Sequence, residues 1–264
     1  KLGFNCTPNL VTRRPMVRVR LLPRRDLATL RCDAIATSAN RGLVGNANPN
    51  FWRFTGRDNA DGSVHRAAGR GLLAACAEVA ADHADGTTRC RTGSVAVTPS
   101  CGALYTGLVI HAVAPDGAYA VGLQRWWGRR QWSGGGGQSA IHLDEALPAG
   151  EASDLLQRTY AAIIGAADTH DVRSLGLPAI GCGVLGWKAD EAARLALREF
   201  AAYSASTAHR GRGIERIDVA LYSDDAFAAW SSHLRRKLGP PESNADDADA
   251  NSSTAECYDL QRLE

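Results

Sequence analysis

Apolar and polar positions along the chain alternate between short apolar runs and longer stretches of helical period. In Val17–Leu22, valine and leucine alternate with arginine, the pattern of a strand with one wet face. Asp33–Ser38 is a second apolar run and leads into Ala39, Asn40 and a Gly-containing loop. Ser94–Thr98, Leu108–Val113, Leu175–Ile180 and Ile214–Tyr222 predict four further strands. Between them, Ser63–Ala81, Ala152–Ala167, Lys188–Arg198 and Asp224–Leu238 repeat their apolar residues at helical spacing and are rich in Ala and Leu. Asp61 is placed to cap the first of these helices. Strands alternating with helices predict an α/β sandwich around a largely parallel sheet. Ligands of such sheets bind at the carboxyl ends of the strands, which puts Asn40, Gly181–Gly186 and Tyr222 on one rim.

Length and composition fit this pattern to one domain. A chain of 264 residues, 45% hydrophobic, can bury a full core, and one domain with insertions accounts for its length. That domain is expected over 16–238. Residues 1–15 precede Met16, the single methionine, and read as an extension. Residues 46–59, with Pro49, Phe51, Trp52, Phe54 and Gly56, are too broken for a core element, and 116–150, with its Trp/Arg run and four consecutive glycines, read as a second insertion. The net charge of +2 hides arginines crowded at the start and Asp/Glu crowded in 239–264, which is expected to be a disordered acidic tail. The seven cysteines show neither CxxC nor Cys/His ligand spacing, which argues for a reducing compartment and against a zinc site or a disulfide framework. No run approaches the ~20 apolar residues of a membrane span. An intracellular monomer, in cytoplasm, nucleus or organelle, with no membrane association and no metal or cofactor, is the resulting expectation.

The segment Ser174–Arg198 holds the strongest chemical signal. It sets Gly181-Cys-Gly-Val-Leu-Gly186 between a predicted strand and a predicted helix. Such a turn bares backbone N–H groups near the positive end of a helix dipole and suits a phosphate, although an ordinary tight turn has the same glycines. A P-loop would need Gly-Lys-Ser/Thr, whereas Gly186 is followed by Trp187 and Lys188. A dinucleotide fingerprint would come early in the chain, and this loop comes late. Cys182 reads as a small residue the loop tolerates, with an activated thiol as the alternative. His65 and His111, inside apolar segments, read as satisfied core histidines.

Taken in order, these stretches resemble the macrodomain, the ADP-ribose-binding α/β/α module. The resemblance runs through Asp26-Leu-Ala-Thr and Cys32-Asp-Ala-Ile-Ala-Thr-Ser-Ala-Asn40, then Ala60-Asp-Gly-Ser-Val-His-Arg-Ala-Ala-Gly69 and Thr92-Gly93. It continues with Val109-Ile-His-Ala-Val-Ala-Pro115 and Leu177-Pro-Ala-Ile-Gly-Cys-Gly-Val-Leu-Gly186, and spans Val17 to Leu238. It implies a three-layer α/β/α sandwich with a mixed, largely parallel central sheet. It also implies residue roles. Asp26, with Leu27 beside it, accepts from the adenine amino group. Asn40 meets the distal ribose, and Asp61 holds water or a ribose hydroxyl. Gly181, Cys182, Gly183, Val184, Leu185 and Gly186 wrap the diphosphate, and Tyr222 packs on adenine. Two departures stand out: 46–59 takes the place of the glycine run of hydrolytic relatives, and Leu185 stands where an aromatic is frequent.

The function implied by the resemblance is binding of ADP-ribose and hydrolysis of a derivative at the distal ribose, with Asn40 and Asp61 as catalytic pair. Candidate substrates are ADP-ribosyl ester on protein, O-acetyl-ADP-ribose and ADP-ribose-1''-phosphate. Within 46–59, Arg57 is the candidate contact to an extra anionic group. The alternatives are a reader that holds ADP-ribose without turnover and, from the Trp/Arg run, a nucleic-acid-binding protein.

Overall fold

Along the first strand Val19 and Leu21 enter one core while Leu22 enters another, so the sheet is covered on both faces. A computed structural model of the chain describes residues 17–45, 59–82, 85–117, 147–183, 185–207, 213–242 and 255–263. In chain order the elements are β1 (Arg18–Pro23), a 3-10 turn (Leu27–Thr29), β2 (Ala34–Ser38), α1 (Ala60–Ala68), α2 (Arg70–Glu78), β3 (Ser94–Pro99), β4 (Leu108–Val113) and α3 (Ala149–Thr169). There follow β5 (Ser174–Pro178), α4 (Ala189–Thr207), β6 (Arg216–Leu221), α5 (Asp224–Leu238), β7 (Glu256–Asp259) and a closing 3-10 turn (Leu260–Leu263).

The seven strands form one sheet in the order β3-β4-β2-β5-β6-β1-β7. Strands β4, β2, β5, β6 and β1 run parallel, and β3 and β7 are antiparallel edges. Helices α3, α4 and α5 cover one face, where Tyr160, Phe200 and Trp230 are fully buried and pack ring against ring, with centroids 6.3 and 6.4 Å apart. The opposite face takes α1, α2 and the first 3-10 turn over Ile35, Val109 and Val113. The expected α/β/α sandwich with a mixed, largely parallel sheet is the observed architecture.

Four local expectations are revised. The single helix expected over Ser63–Ala81 starts at Ala60 and divides at Gly69, which caps α1 with φ 68°. Its N-cap is Asn59, whose side chain accepts from the Gly62 amide at 2.7 Å, and Asp61 lies one step inside the first turn. The alternating arginines of β1 are not all on a wet face: Arg20 forks onto Asp218 of the neighbouring β6 at 2.7 and 2.8 Å, and Asp218 is buried. The acidic tail does not stay apart from the domain. Residues Glu256–Asp259 return as β7, pairing with Arg18–Leu21, and Tyr258 is buried in the core. The remaining calls on 1–16, 46–58, 118–146 and 243–254 fall outside the described residues.

Candidate functional site at the carboxyl rim of the sheet

The parallel strands all end on one rim, and the loops leaving β1, β2, β5 and β6 carry Asp26, Asn40, Gly181–Gly186 and Tyr222 to it. Asp26 follows β1. Its carboxylate accepts from the Ala28 amide at 3.0 Å, capping the 3-10 turn, and from the Ser63 hydroxyl of α1 at 2.7 Å to each oxygen. Leu27 is buried in the core on that face of the sheet. Close by, the Arg24 amide donates to the Leu221 carbonyl at the end of β6 at 2.7 Å, and Tyr222 follows, 54% exposed. Tyr222 is thus a surface aromatic and not a buried strand end.

Asn40 leaves β2 and is fixed by its own loop: its Oδ1 accepts from the Val44 amide at 3.2 Å and its Nδ2 donates to the Gly45 carbonyl at 3.4 Å. A Cβ on Gly45 would come within 3.0 Å of the His65 ring, and φ there is 75°, so glycine lets this loop sit on α1. Asp61 is only 2% exposed. Thr37 of β2 donates to its Oδ1 at 3.2 Å, and His65 Nε2 lies 3.8 Å from the same oxygen. The Asn40 loop thus sits on the His65 ring, whose Nε2 lies near the buried Asp61.

The glycine loop is braced from beneath. The Tyr160 hydroxyl donates to the Ile180 carbonyl at 3.3 Å, and Trp187 donates through Nε1 to the Pro115 carbonyl at 2.8 Å. The Gly117 amide bonds to the Leu185 carbonyl at 2.6 Å. Gly181 has φ 86°, and a Cβ there would strike Trp187 at 2.7 Å. Gly183 is exposed with open space where a side chain would be. Among the described hydrogen bonds, the amides of Cys182, Gly186 and Trp187 turn back onto Ala179, Gly183 and Gly181, whereas none is described for Gly183 or Leu185. Val184 and Arg57 lie outside the described residues.

One expectation for this loop changes, and one alternative falls away. It does not open directly into a helix: Trp187 and Lys188 intervene, and the first turn of α4 carries Asp190 and Glu191, which partly offset its dipole. A phosphate here would meet loop amides rather than a helix end. Burial pushes the Cys182 thiol up to about 12, the opposite of an activated nucleophile. Beside the loop, burial also raises the Asp116 carboxyl, an effect the Arg41 charge opposes.

Behind Asp61 lies a cluster that sequence spacing did not suggest. Donor atoms of His65, Cys76 and His111, all buried, fall within 4.8 Å of one another. The edges of a tetrahedral zinc site are about 3.3–3.8 Å. His111 Nε2 already sits 3.0 Å from Thr98 Oγ1 and 3.5 Å from Cys76 Sγ, and burial, then the Asp61 charge, raise the Cys76 thiol to about 11. The geometry fits a neutral packed network better than a metal set. The two histidines are buried as expected but not fully satisfied, because His65 Nε2 and His111 Nδ1 have no hydrogen-bond partner among the described residues.

Thr37, Ser63 and Trp187 were absent from the sequence-based site. The hydroxyls looked like ordinary strand and helix residues, and Trp187 registered only as the residue that spoils a P-loop.

A sheet with this topology and a glycine loop at its rim defines the class, and comparison with known proteins identifies the family: the chain belongs to the Macro domain family, whose model matches residues 39–121 and 142–196. Among its relatives, a macro domain-containing protein of Ralstonia nicotianae is 33% identical over 220 residues, 83% of this chain and 96% of that protein. An O-acetyl-ADP-ribose deacetylase of Salmonella gallinarum is 31% identical over 173 residues, 66% of this chain and 72% of that one. The Oceanobacillus iheyensis macrodomain with ADP has the same fold, with a TM-score of 0.59 at 21% identity, covering 84% of this chain and 96% of that one.

Proposed function

We propose that the chain binds ADP-ribose and hydrolyses a derivative of it at the distal ribose, with O-acetyl-ADP-ribose the first substrate to test. The observation that carries this reading is that the loop holding Asn40 at the rim sits on the His65 ring, whose Nε2 lies near Asp61, itself buried and held by the Thr37 hydroxyl. Asp26 and Tyr222 take the adenine, the loop 181–186 takes the diphosphate, and Asn40 orients the ribose. Anchoring the remote half of the ligand confines the reacting bond to one place, so little is left for the chemical step to organise. Asp61 then orients water against the acyl carbonyl carbon. The bond between the acyl carbon and the ribose oxygen breaks, the ribose oxygen takes one proton of that water, and acetate leaves with the other proton released to solvent. The relative named for O-acetyl-ADP-ribose deacetylation supports this choice of substrate.

A second reading, an ADP-ribose reader without turnover, is favoured by the burial of Asp61. Calorimetry with free ADP-ribose, followed by incubation with O-acetyl-ADP-ribose, ADP-ribosyl ester on protein and ADP-ribose-1''-phosphate, separates the two. Asp61→Asn keeps the side chain's shape and an acceptor for Thr37. It is expected to leave ADP-ribose affinity within about threefold while lowering kcat roughly 100-fold. Binding by the wild type without turnover of any of the three would establish the reader.

A further inference from the structure

We propose that Ser63 is a positioning residue of the purine subsite, orienting the Asp26 carboxylate so that the site selects a 6-amino over a 6-oxo purine. The proposal rests on the reading of Asp26 as the adenine anchor. The Ser63 hydroxyl lies 2.7 Å from each oxygen of Asp26, so its one proton is shared across the carboxylate. Asp26 Oδ1 also takes the Ala28 amide at 3.0 Å, which leaves Oδ2, with only a share of one proton, as the oxygen open to a further donor. Ser63 is buried in the first turns of α1, and Asp26 is fixed at the start of the 3-10 turn. The carboxylate is thus clamped from two elements and cannot rotate freely.

With its proton committed to Asp26, the Ser63 oxygen offers only lone pairs to any other partner. A purine edge meeting Asp26 and Ser63 therefore meets acceptors alone. An exocyclic amine, with two protons to give, suits them. A 6-oxo group brings another acceptor, and its binding would require the hydroxyl proton to leave the carboxylate. Sites built to pair with one polar group reject an analogue that leaves buried groups unpaired. Ser63 thereby acts through Asp26 rather than on the reacting bond.

The test is a double-mutant cycle read by calorimetry with two ligands, ADP-ribose and its hypoxanthine counterpart, with thermal midpoints recorded to verify folding. In the wild-type background Ser63→Ala is expected to weaken ADP-ribose binding about tenfold while the hypoxanthine ligand changes less than about twofold, so that selectivity narrows. On any turned-over substrate KM rises and kcat holds. In an Asp26→Ala background the same substitution changes nothing, because its partner is gone. Unchanged ADP-ribose affinity in Ser63→Ala, or an equal loss in both backgrounds, overturns the proposal while leaving the ADP-ribose reading intact. Failure of the wild type to bind either ligand overturns that reading and the proposal with it.

Discussion

His65 and His111 face each other across the core with ring centroids 6.1 Å apart. Burial lowers both, and burial together with the His65 charge takes His111 down to about 4. Between about 4 and the ordinary value near 6.5, the unfolded chain holds a proton at His111 that the folded chain does not. Stability therefore rises with pH across this window: the contribution of His111 is intact above 6.5, falls as pH drops below it, and is fully lost under the folded value. The loss from His111 is roughly 3 kcal/mol at most, with His65 adding in the same direction. Urea midpoints measured from pH 8 to pH 4 should decline below 6.5, and His111→Asn should flatten the decline; a slope unchanged in that variant would refute the assignment. At this scale the sequence was informative where a residue sits in a distinctive string. Asn40 and Tyr222 reach one rim as read, and Asp26 joins them there. It was silent about Thr37 and Ser63, because a hydroxyl's partner is chosen by the packing of a distant element on its own.

The glycine loop shows what an element adds to its residues. Its shape is held by Trp187 and by the Pro115–Gly117 segment, while a Cβ added at Gly183 would meet none of the described atoms within 4 Å. A side chain at Gly183 is thus tolerated by the fold and intrudes only on a ligand. Gly183→Glu should keep its thermal midpoint within about 2 °C and lose ADP-ribose binding by more than about 100-fold, through bulk and like charge at the diphosphate. Undiminished affinity would move the diphosphate away from this loop. Element positions were legible wherever period and flanks agreed: Leu108–Val113 and Asp224–Leu238 match β4 and α5 end to end. They slipped where one backbone angle decides, as at Gly69, and where two capping candidates stand close together. Asn59 and Asp61 are both good caps by type, and the burial of Asp61 against Thr37 leaves Asn59 to cap.

At the scale of the whole molecule, β7 was hidden by non-locality. Its four residues, Glu256–Asp259, are too short to show a period, sit among acids, and pair with a strand at the other end of the chain. Yet they close the sheet, since β1 would otherwise present an unpaired edge along Arg18–Leu21. Tyr258 is buried with Leu260 in the larger core, its hydroxyl donating to Glu256, which in turn pairs with Arg235 of α5. The closing strand is thereby tied to the last helix as well as to the sheet. Tyr258→Ala should cost about 3–5 kcal/mol, the usual loss for a large buried ring, seen as a fall in the urea midpoint. Removal of 255–264 should go further and expose the β1 edge, with self-association visible by light scattering. Asp26 is held by Ser63 and Ala28, and the end of β1 by Leu221, none of which is on β7. Folded, truncated protein should therefore bind ADP-ribose within about threefold of the full chain. A truncated protein that stays monomeric at an unchanged midpoint would show that β7 adds nothing to the domain, and one that is folded but no longer binds would show that the closing strand reaches the site.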